Sequence, residues 1–150
     1  MRIAIGSDHA GFPMKEIIKE YLRELGHEVM DLGTHSTSSV NYVEFAEAVA
    51  RAVARGEAER GVLICGTGIG MSIAANKVEG IRAALVHSEY TARMAAMHND
   101  ANILTFGGRV ESPEEGKRFV KTWLETPFEG GRHLQRLGKI GELEEKCKEG

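Results

Sequence analysis

The chain has 150 residues, 42% of them hydrophobic and 27% charged, which are the proportions of one globular domain. Its net charge of −3 argues against a nucleic-acid partner or a membrane surface, and no apolar run approaches the ~20 residues that span a bilayer. No signal peptide is recognisable at the N terminus, so we expect a cytoplasmic protein whose cysteines are free thiols.

Short apolar segments alternate with helical patterns along the chain. The predicted strands are residues 2–6, 27–32, 62–65, 81–86 and 102–106, and the predicted helices begin near residues 13, 41, 71, 89, 113 and 132. Such alternation implies right-handed βαβ units and a parallel sheet covered on both faces. We therefore predict one α/β domain over residues 1–150, a three-layer sandwich whose five-stranded, flavodoxin- or Rossmann-like sheet has the order 2-1-3-4-5.

The first strand leads into a polar turn and then an amphipathic helix. In the turn, Asp8 and His9 can hold hydroxyls or a phosphate, because ligands bind beyond the strand ends at the switch point between strands 1 and 3. The alternative is a turn aspartate with a local backbone bond and a solvated histidine. In the helix, the apolar stripe places Lys15 and Lys19 on the solvent side.

A glycine-rich turn follows the third strand. Gly66, Gly68 and Gly70 stand at every second position before a helix, so successive N–H groups and the helix dipole form a site for negative charge. The spacing is not the dinucleotide fingerprint G-x-G-x-x-G, because Met71 takes the last place, and it is not a P-loop, because no lysine follows Gly70. Taken alone, the turn is equally compatible with a purely structural role.

Cys65 is the last residue of that third strand. A cysteine just before a helix N terminus is favoured as a thiolate, which suits a catalytic base or nucleophile. The alternative is a small hydrophobic residue on a buried strand. The spacings C-x-x-C, H-x-x-x-H and H-E-x-x-H are absent, so we expect no metal.

Two further groups of polar residues occur late in the chain. His98 can act as a general acid or base with Asn99 beside it, and we expect the pair to reach the edge of the sheet that carries Cys65. The alternative is a histidine favoured by a helix C terminus. Arg132 and Arg136, spaced i,i+4, form a fork suited to phosphate, or else part of a solvated basic stripe.

The final helix, within residues 129–150, is weakly apolar and would be poorly stabilised alone. We therefore expect it to pack on a partner subunit, where its arginines would complete a neighbouring site.

Together these segments resemble the type B ribose-5-phosphate isomerases, in the family that also holds galactose-6-phosphate isomerase subunits. The resemblance extends from Arg2 to about Arg136. Its motifs, in chain order, are Gly6-Ser7-Asp8-His9-Ala10-Gly11-Phe12, Cys65-Gly66-Thr67-Gly68-Ile69-Gly70-Met71-Ser72-Ile73-Ala74-Ala75-Asn76-Lys77, Gly80-Ile81-Arg82-Ala83, His98-Asn99-Asp100-Ala101-Asn102, Phe106-Gly107-Gly108-Arg109 and Gly130-Gly131-Arg132-His133.

The resemblance implies reversible conversion of ribose 5-phosphate to ribulose 5-phosphate through a cis-enediolate, in the non-oxidative pentose phosphate pathway, without metal or cofactor. It implies that Cys65 is the base, assisted by Thr67, and that His98 opens the sugar ring with Asp8. The implied substrate-binding residues are Asp8, His9, Tyr42, Gly66, Thr67, Gly68, Ile69, Gly70, Asn99, Arg109, Arg132 and Arg136.

The family also implies a homodimer, or a dimer of dimers, with the sites at the interface. One stretch departs from its pattern, because the frequent Asp-Tyr-Pro is here Asn41-Tyr42-Val43. Tyr42 remains, but the changed loop leaves the sugar preference open. The alternatives are a hexose-phosphate isomerase, acting on allose or galactose 6-phosphate, and a non-catalytic phosphosugar-binding module.

Overall fold

A five-stranded parallel sheet lies at the centre of the protein. The computed structural model describes residues 1–149. The strands are β1 (Arg2–Ser7), β2 (Glu28–Asp31), β3 (Arg60–Cys65), β4 (Ala83–Leu85) and β5 (Ile103–Gly107). The helices are α1 (Phe12–Glu24), α2 (Tyr42–Ala54), α3 (Ile69–Ala75), α4 (Glu89–Met97), α5 (Pro113–Glu125) and α6 (Arg132–Glu149). Within this described range, no helix combines the length and hydropathy needed to cross a membrane.

The order of the strands is β2-β1-β3-β5-β4, so the predicted parallel sheet is confirmed but the predicted order 2-1-3-4-5 is wrong at one edge. β5 pairs with β3, from Gly61 beside Ile103 to Cys65 beside Gly107, and β4 pairs with β5 alone. Burial explains why β5, and not β4, is the inner strand. All of β5 is buried, as a central parallel strand must be, whereas β4 is short and partly exposed.

Helices cover both faces of the sheet, and alternation along the strands assigns side chains to each face. On one face, residues such as Ile3 and Ile64 pack with α1, α4 and α5. On the other, Leu63 and Cys65 pack with α2 and α3. Cys65 therefore lies beneath the helix that follows its own strand. Among the described residues, neither core includes a side chain of α6.

A buried ion pair joins α1 to the end of β2. Lys15 is fully buried, and its Nζ lies 2.8 and 2.7 Å from the two carboxylate oxygens of Asp31. Asp31 also accepts hydrogen bonds from Lys19, at 3.0 Å, and from the Gly33 amide, at 3.0 Å. The solvent-side prediction for Lys15 is therefore wrong, because a carboxylate distant in sequence compensates its charge.

Candidate active site

The turn after β1 is held by its own backbone. Oδ1 of the buried Asp8 accepts a hydrogen bond from the Gly11 amide at 3.0 Å, and the Asp8 amide donates to the Ile64 carbonyl at 3.3 Å. This is the local capping bond that a turn aspartate makes. The carboxylate is consequently fixed at the carboxyl edge of the sheet, beside the end of β3.

His9 connects this turn to the loop before α2. The Val40 amide donates to Nδ1 of His9 at 3.2 Å. Because Nδ1 is the acceptor, the proton of the neutral ring lies on Nε2. His9 is thus oriented to offer an N–H donor to a ligand, as phosphate recognition requires.

The glycine turn places an N–H group on the Cys65 sulfur. The Gly68 amide donates to Sγ at 3.1 Å, and the cysteine side chain is buried. Gly68 has φ of +84°, and a Cβ there would lie 2.7 Å from the Phe106 backbone and from Leu85. Only glycine fits this position. The N–H points where it would stabilise negative charge on sulfur.

Two further side chains border the turn. A Cβ on Gly70 would lie 2.6 Å from the Tyr42 ring, so the ring covers the turn closely. A Cβ on Gly66 would lie 3.6 Å from the Arg109 side chain, which is exposed.

Thr67 is also exposed at this edge, where its Oγ1 accepts a hydrogen bond from the Ile69 amide at 3.2 Å. The sequence-predicted residues that the structure brings together at the carboxyl edge are Asp8, His9, Tyr42, Cys65, Gly66, Thr67, Gly68, Ile69, Gly70 and Arg109.

His98 and Asn99 lie at the opposite, amino edge. They directly precede Asp100, whose carboxylate lies 3.9 Å from Arg60 at the start of β3. Cys65 ends that strand, and residues in a parallel strand advance ~3.3 Å each, so about 16 Å of sheet separates the two edges. The expectation that His98 reaches Cys65 is therefore wrong within a single chain.

The His98 ring stacks on a second histidine. Its centroid lies 4.2 Å from that of His133, with 16° between the planes. The loop between α5 and α6 is joined to the end of α4, because the Glu129 amide donates to the Met97 carbonyl at 3.0 Å. Burial lowers the pKa of His133, and the nearby charges of His98, Arg132 and Arg136 act in the same direction.

α6 exposes its apolar stripe. Leu134, Ile140 and Leu143 are 62%, 48% and 61% exposed. Near its C-terminal end, Glu144 accepts a hydrogen bond from the Gly80 amide at 2.7 Å. Arg132 and Arg136 are exposed near the helix N terminus. A helix with this much uncovered apolar surface is typical of an interaction site.

Comparison with known proteins identifies the family to which this sequence and fold are similar. The profile of the Ribose/Galactose Isomerase family matches residues 3–140. The chain belongs to the ribose/galactose isomerase family. The structure of Clostridium thermocellum ribose-5-phosphate isomerase B matches with a TM-score of 0.97 and 54% identity, covering 98% of this chain and 99% of that one.

Relatives with the same fold carry names for more than one substrate. Ribose-5-phosphate isomerase B of Escherichia coli is 48% identical, over 97% of this chain and 97% of its own length. A D-erythrulose-4-phosphate isomerase of Pectobacterium atrosepticum is 42% identical, over 99% of this chain and 98% of its own. The family resemblance read from the motifs is confirmed, and these names span sugars of different length.

In this member of the ribose/galactose isomerase family, the sequence patterns assigned no role to one polar residue, His133. His133 lies in the Gly130-Gly131-Arg132-His133 motif, and the structure buries it against His98. The signal was its place at the start of a polar helix, one residue after an arginine predicted to bind substrate.

Proposed function

We propose that this protein interconverts ribose 5-phosphate and ribulose 5-phosphate. The observation that carries the proposal is Cys65, whose sulfur accepts the Gly68 N–H at the carboxyl edge, with Asp8, His9 and Arg109 around it. Relatives named ribose-5-phosphate isomerase B, 48% and 54% identical over nearly the whole chain, support the choice of reaction.

In the proposed reaction, the Cys65 thiolate takes the proton from C2 of the open-chain aldose. The electrons move onto O1 and form a cis-enediolate. The proton on O2 then passes to O1, and the Cys65 thiol returns its proton to C1, which leaves the ketose. A positioned base of this kind contributes about 10²–10⁴ in rate.

The enediolate oxygens need hydrogen-bond donors. Of the backbone N–H groups of residues 66–70, those of Gly68 and Ile69 already bond the Cys65 sulfur and the Thr67 hydroxyl, so the remaining ones are the candidates. Thr67 adds a hydroxyl to the same turn, which follows the base directly. Loss of one such donor typically reduces the rate by about 10²–10³. The Gly68 N–H, which donates to Sγ, holds the base at the start of this turn.

The phosphate would be held away from the reacting carbons. Nε2 of His9 and the exposed guanidinium of Arg109 are the donors that this chain provides beside Cys65. Guanidinium groups suit phosphate because their donors match its oxygens in pairs. Binding the phosphate orients a small sugar whose own contacts are few.

We further propose that the protein is a homodimer, or a dimer of dimers, whose sites each take residues from two copies. His98, Asn99, Arg132 and Arg136 lie at the far edge of the sheet from Cys65, so a second copy would have to supply them. The uncovered apolar stripe of α6 supports such an interface. There His98 would open the furanose ring with Asp8, Asn99 would bind sugar hydroxyls, and the arginines would complete the phosphate site.

We also propose that the enzyme acts in the non-oxidative branch of the pentose phosphate pathway. A cytoplasmic location fits the proposal, since reducing conditions keep a catalytic thiol free. Cys65 and Cys147 are both free cysteines. None of the proposed steps requires a metal or a cofactor.

The first experiment measures conversion of ribose 5-phosphate in the presence of EDTA. Wild type is expected to be active, and Cys65→Ala to lose about 10² or more in kcat. Cys147→Ala, which removes the exposed cysteine of α6, is the matched control and should keep full activity. Near-normal activity of Cys65→Ala would refute the role of the thiol, and strict metal dependence would refute the mechanism.

The sugar is a separate question, because one relative is named for a four-carbon substrate and the family name includes galactose. Tetrose, pentose and hexose phosphates, including allose and galactose 6-phosphate, should be compared at equal concentration. We expect the highest kcat/KM for ribose 5-phosphate. Tight binding of a phosphosugar without exchange of its C2 proton with solvent would instead identify a non-catalytic binding module.

A further inference from the structure

Three side chains with metal-binding atoms meet at the amino edge, away from Cys65. They are His98 at the end of α4, Glu129 in the loop before α6, and His133 in the first turn of α6. One ligand atom from each lies within 4.8 Å of the others. Two imidazoles and one carboxylate are a ligand set that zinc uses, with water in the fourth position.

His133 has an unused ligand atom. The residue is 3% exposed, and among the described residues its Nε2 has no hydrogen-bond partner. The nearest carboxylate oxygen, Oε1 of Glu129, lies 3.8 Å away, which is beyond hydrogen-bond distance. A buried ring nitrogen without a partner is uncommon, and a bound ion would satisfy it.

The backbone around the cluster is fixed, while one ligand side chain is free to move. The Glu129 amide is bonded to the Met97 carbonyl at 3.0 Å, and the His133 amide to the Gly130 carbonyl at 3.0 Å. The carboxylate of Glu129 is exposed. It can therefore close the distance to ~2.0 Å from an ion that the buried His133 already holds.

The stacking of the His98 and His133 rings determines how metal binding would change the structure. A ring nitrogen binds a metal in the plane of its ring, so two nearly parallel imidazoles 4.2 Å apart cannot both hold one ion as they stand. His98 is half-buried and His133 is buried, so His98 is the ring that turns. Coordination would then hold His98 away from its stacked orientation.

We propose that His98, Glu129 and His133 form a regulatory site for Zn²⁺ or a similar divalent transition metal, and that occupancy inhibits the enzyme. The inhibition rests on the proposed role of His98 in ring opening, whereas the binding does not. Arg132 and Arg136, close to the cluster, oppose a dication, so the site is expected to be weaker than a structural zinc centre.

Binding is tested first, by calorimetric titration of Zn²⁺ into a Cys65→Ala/Cys147→Ala variant, in which no thiol remains to bind the metal. One ion per chain is expected. Adding Glu129→Gln should weaken binding at least about tenfold, because it replaces a charged ligand with a neutral amide. Glu20→Gln, on the exposed surface of α1, is the matched control and should leave binding unchanged. No saturable binding, or equal binding with Glu129→Gln, would overturn the proposal.

Inhibition is then measured with the thiols present. Wild type should lose activity as Zn²⁺ is added and regain it with EDTA, while Glu129→Gln should need at least about ten times more metal for the same loss. Equal sensitivity of the two proteins would overturn the regulatory role and point to the Cys65 thiol instead. If no sugar phosphate is isomerised at all, the proposed function fails, but the titration of the thiol-free protein still decides whether the site exists.

Discussion

The two edges of the sheet differ in how completely one chain organises them. At the carboxyl edge, Asp8, His9 and Cys65 each have a backbone hydrogen bond that fixes them. At the amino edge, His98 is held by a stacking contact, and the arginines of α6 are exposed. Local turns therefore preorganise the carboxyl edge. The amino edge presents polar groups that lie far from Cys65 within one chain. The contrast supports our proposal that each site is assembled from two copies.

Complementation between inactive variants gives the largest expected effect. Cys65→Ala and His98→Asn are each expected to be nearly inactive alone. If every site combines Cys65 of one copy with His98 of the other, a mixed dimer has one wild-type site, and random pairing restores about a quarter of wild-type activity. The measurement is isomerase activity after co-expression of the two variants. Absence of recovery in mixed dimers would place both residues in one chain's site.

The glycine turn offers a test of preorganisation at the carboxyl edge. Gly68 and Gly80 share φ of +84°, but only Gly68 is crowded, because a Cβ there would lie 2.7 Å from Phe106 and from Leu85. Gly80→Ala should cost about 1–2 kcal/mol, the penalty of the left-handed conformation alone. Gly68→Ala should cost about 1–3 kcal/mol more through overpacking, and should also lower kcat. Urea unfolding measures the stability of each variant, and kinetics measure kcat. Equal losses of stability in the two variants would show that the structure around Gly68 shifts to accept a Cβ without cost.

The buried ion pair between Lys15 and Asp31 also lies at the carboxyl edge, where it joins α1 to the end of β2. Lys15→Ala should lower the free energy of unfolding by about 3 kcal/mol, because it leaves the Asp31 carboxylate short of its buried partner. Lys19→Ala is the control. Its ammonium is partly exposed and pairs with Glu16 as well, so a loss below about 1 kcal/mol is expected. Chemical denaturation compares them, and similar values would mean that Lys19 substitutes for Lys15.

The smallest expected effect is a pH dependence at the same pair. Partial burial works to raise the pKa of Asp31, but hydrogen bonds from Lys15, the Gly33 amide and Lys19 lower it overall. Because the folded pKa is below the unfolded value of about 3.9, the stabilisation is present above that pH and is lost as the pH falls further.

Asp31→Asn should therefore flatten the fall of the unfolding free energy below about pH 4. The exposed Glu28→Gln is the control and should leave the slope unchanged. The measurement is the urea midpoint from pH 5 to pH 2. An unchanged slope in Asp31→Asn would show that other carboxylates determine the acid response.

Most of the fold follows from local patterns in the sequence. The helix starts predicted near residues 89 and 113 are observed at Glu89 and Pro113, and Ser112 caps the second of these helices by accepting a hydrogen bond from the Glu115 amide. The strand order does not follow, because the choice between β4 and β5 as the inner strand depends on burial against helices far away in sequence. Lys15 was misplaced for the same reason, since its partner Asp31 belongs to another element.

The candidate site was predictable where the switch-point rule applies. That rule concerns loops that follow strands, and it correctly grouped the ends of β1 and β3. His98 precedes a strand, so the same rule assigns it to the other edge, where the structure has it. In our proposal a second copy brings the two groups together, and the sequence signal for that copy was the weakly apolar final helix, which does not specify the geometry of an assembly.

If the exposed stripe of α6 forms the proposed dimer interface, the activity in a cell depends on the concentration of the chain in an unusual way. If each chain carries half of two sites, a dilute chain without a partner contributes no catalysis. Below the dissociation constant of the dimer, active enzyme then rises with the square of the chain concentration. Halving expression in that range would remove about three quarters of the activity, so flux would respond more steeply to synthesis than it does for a monomeric enzyme.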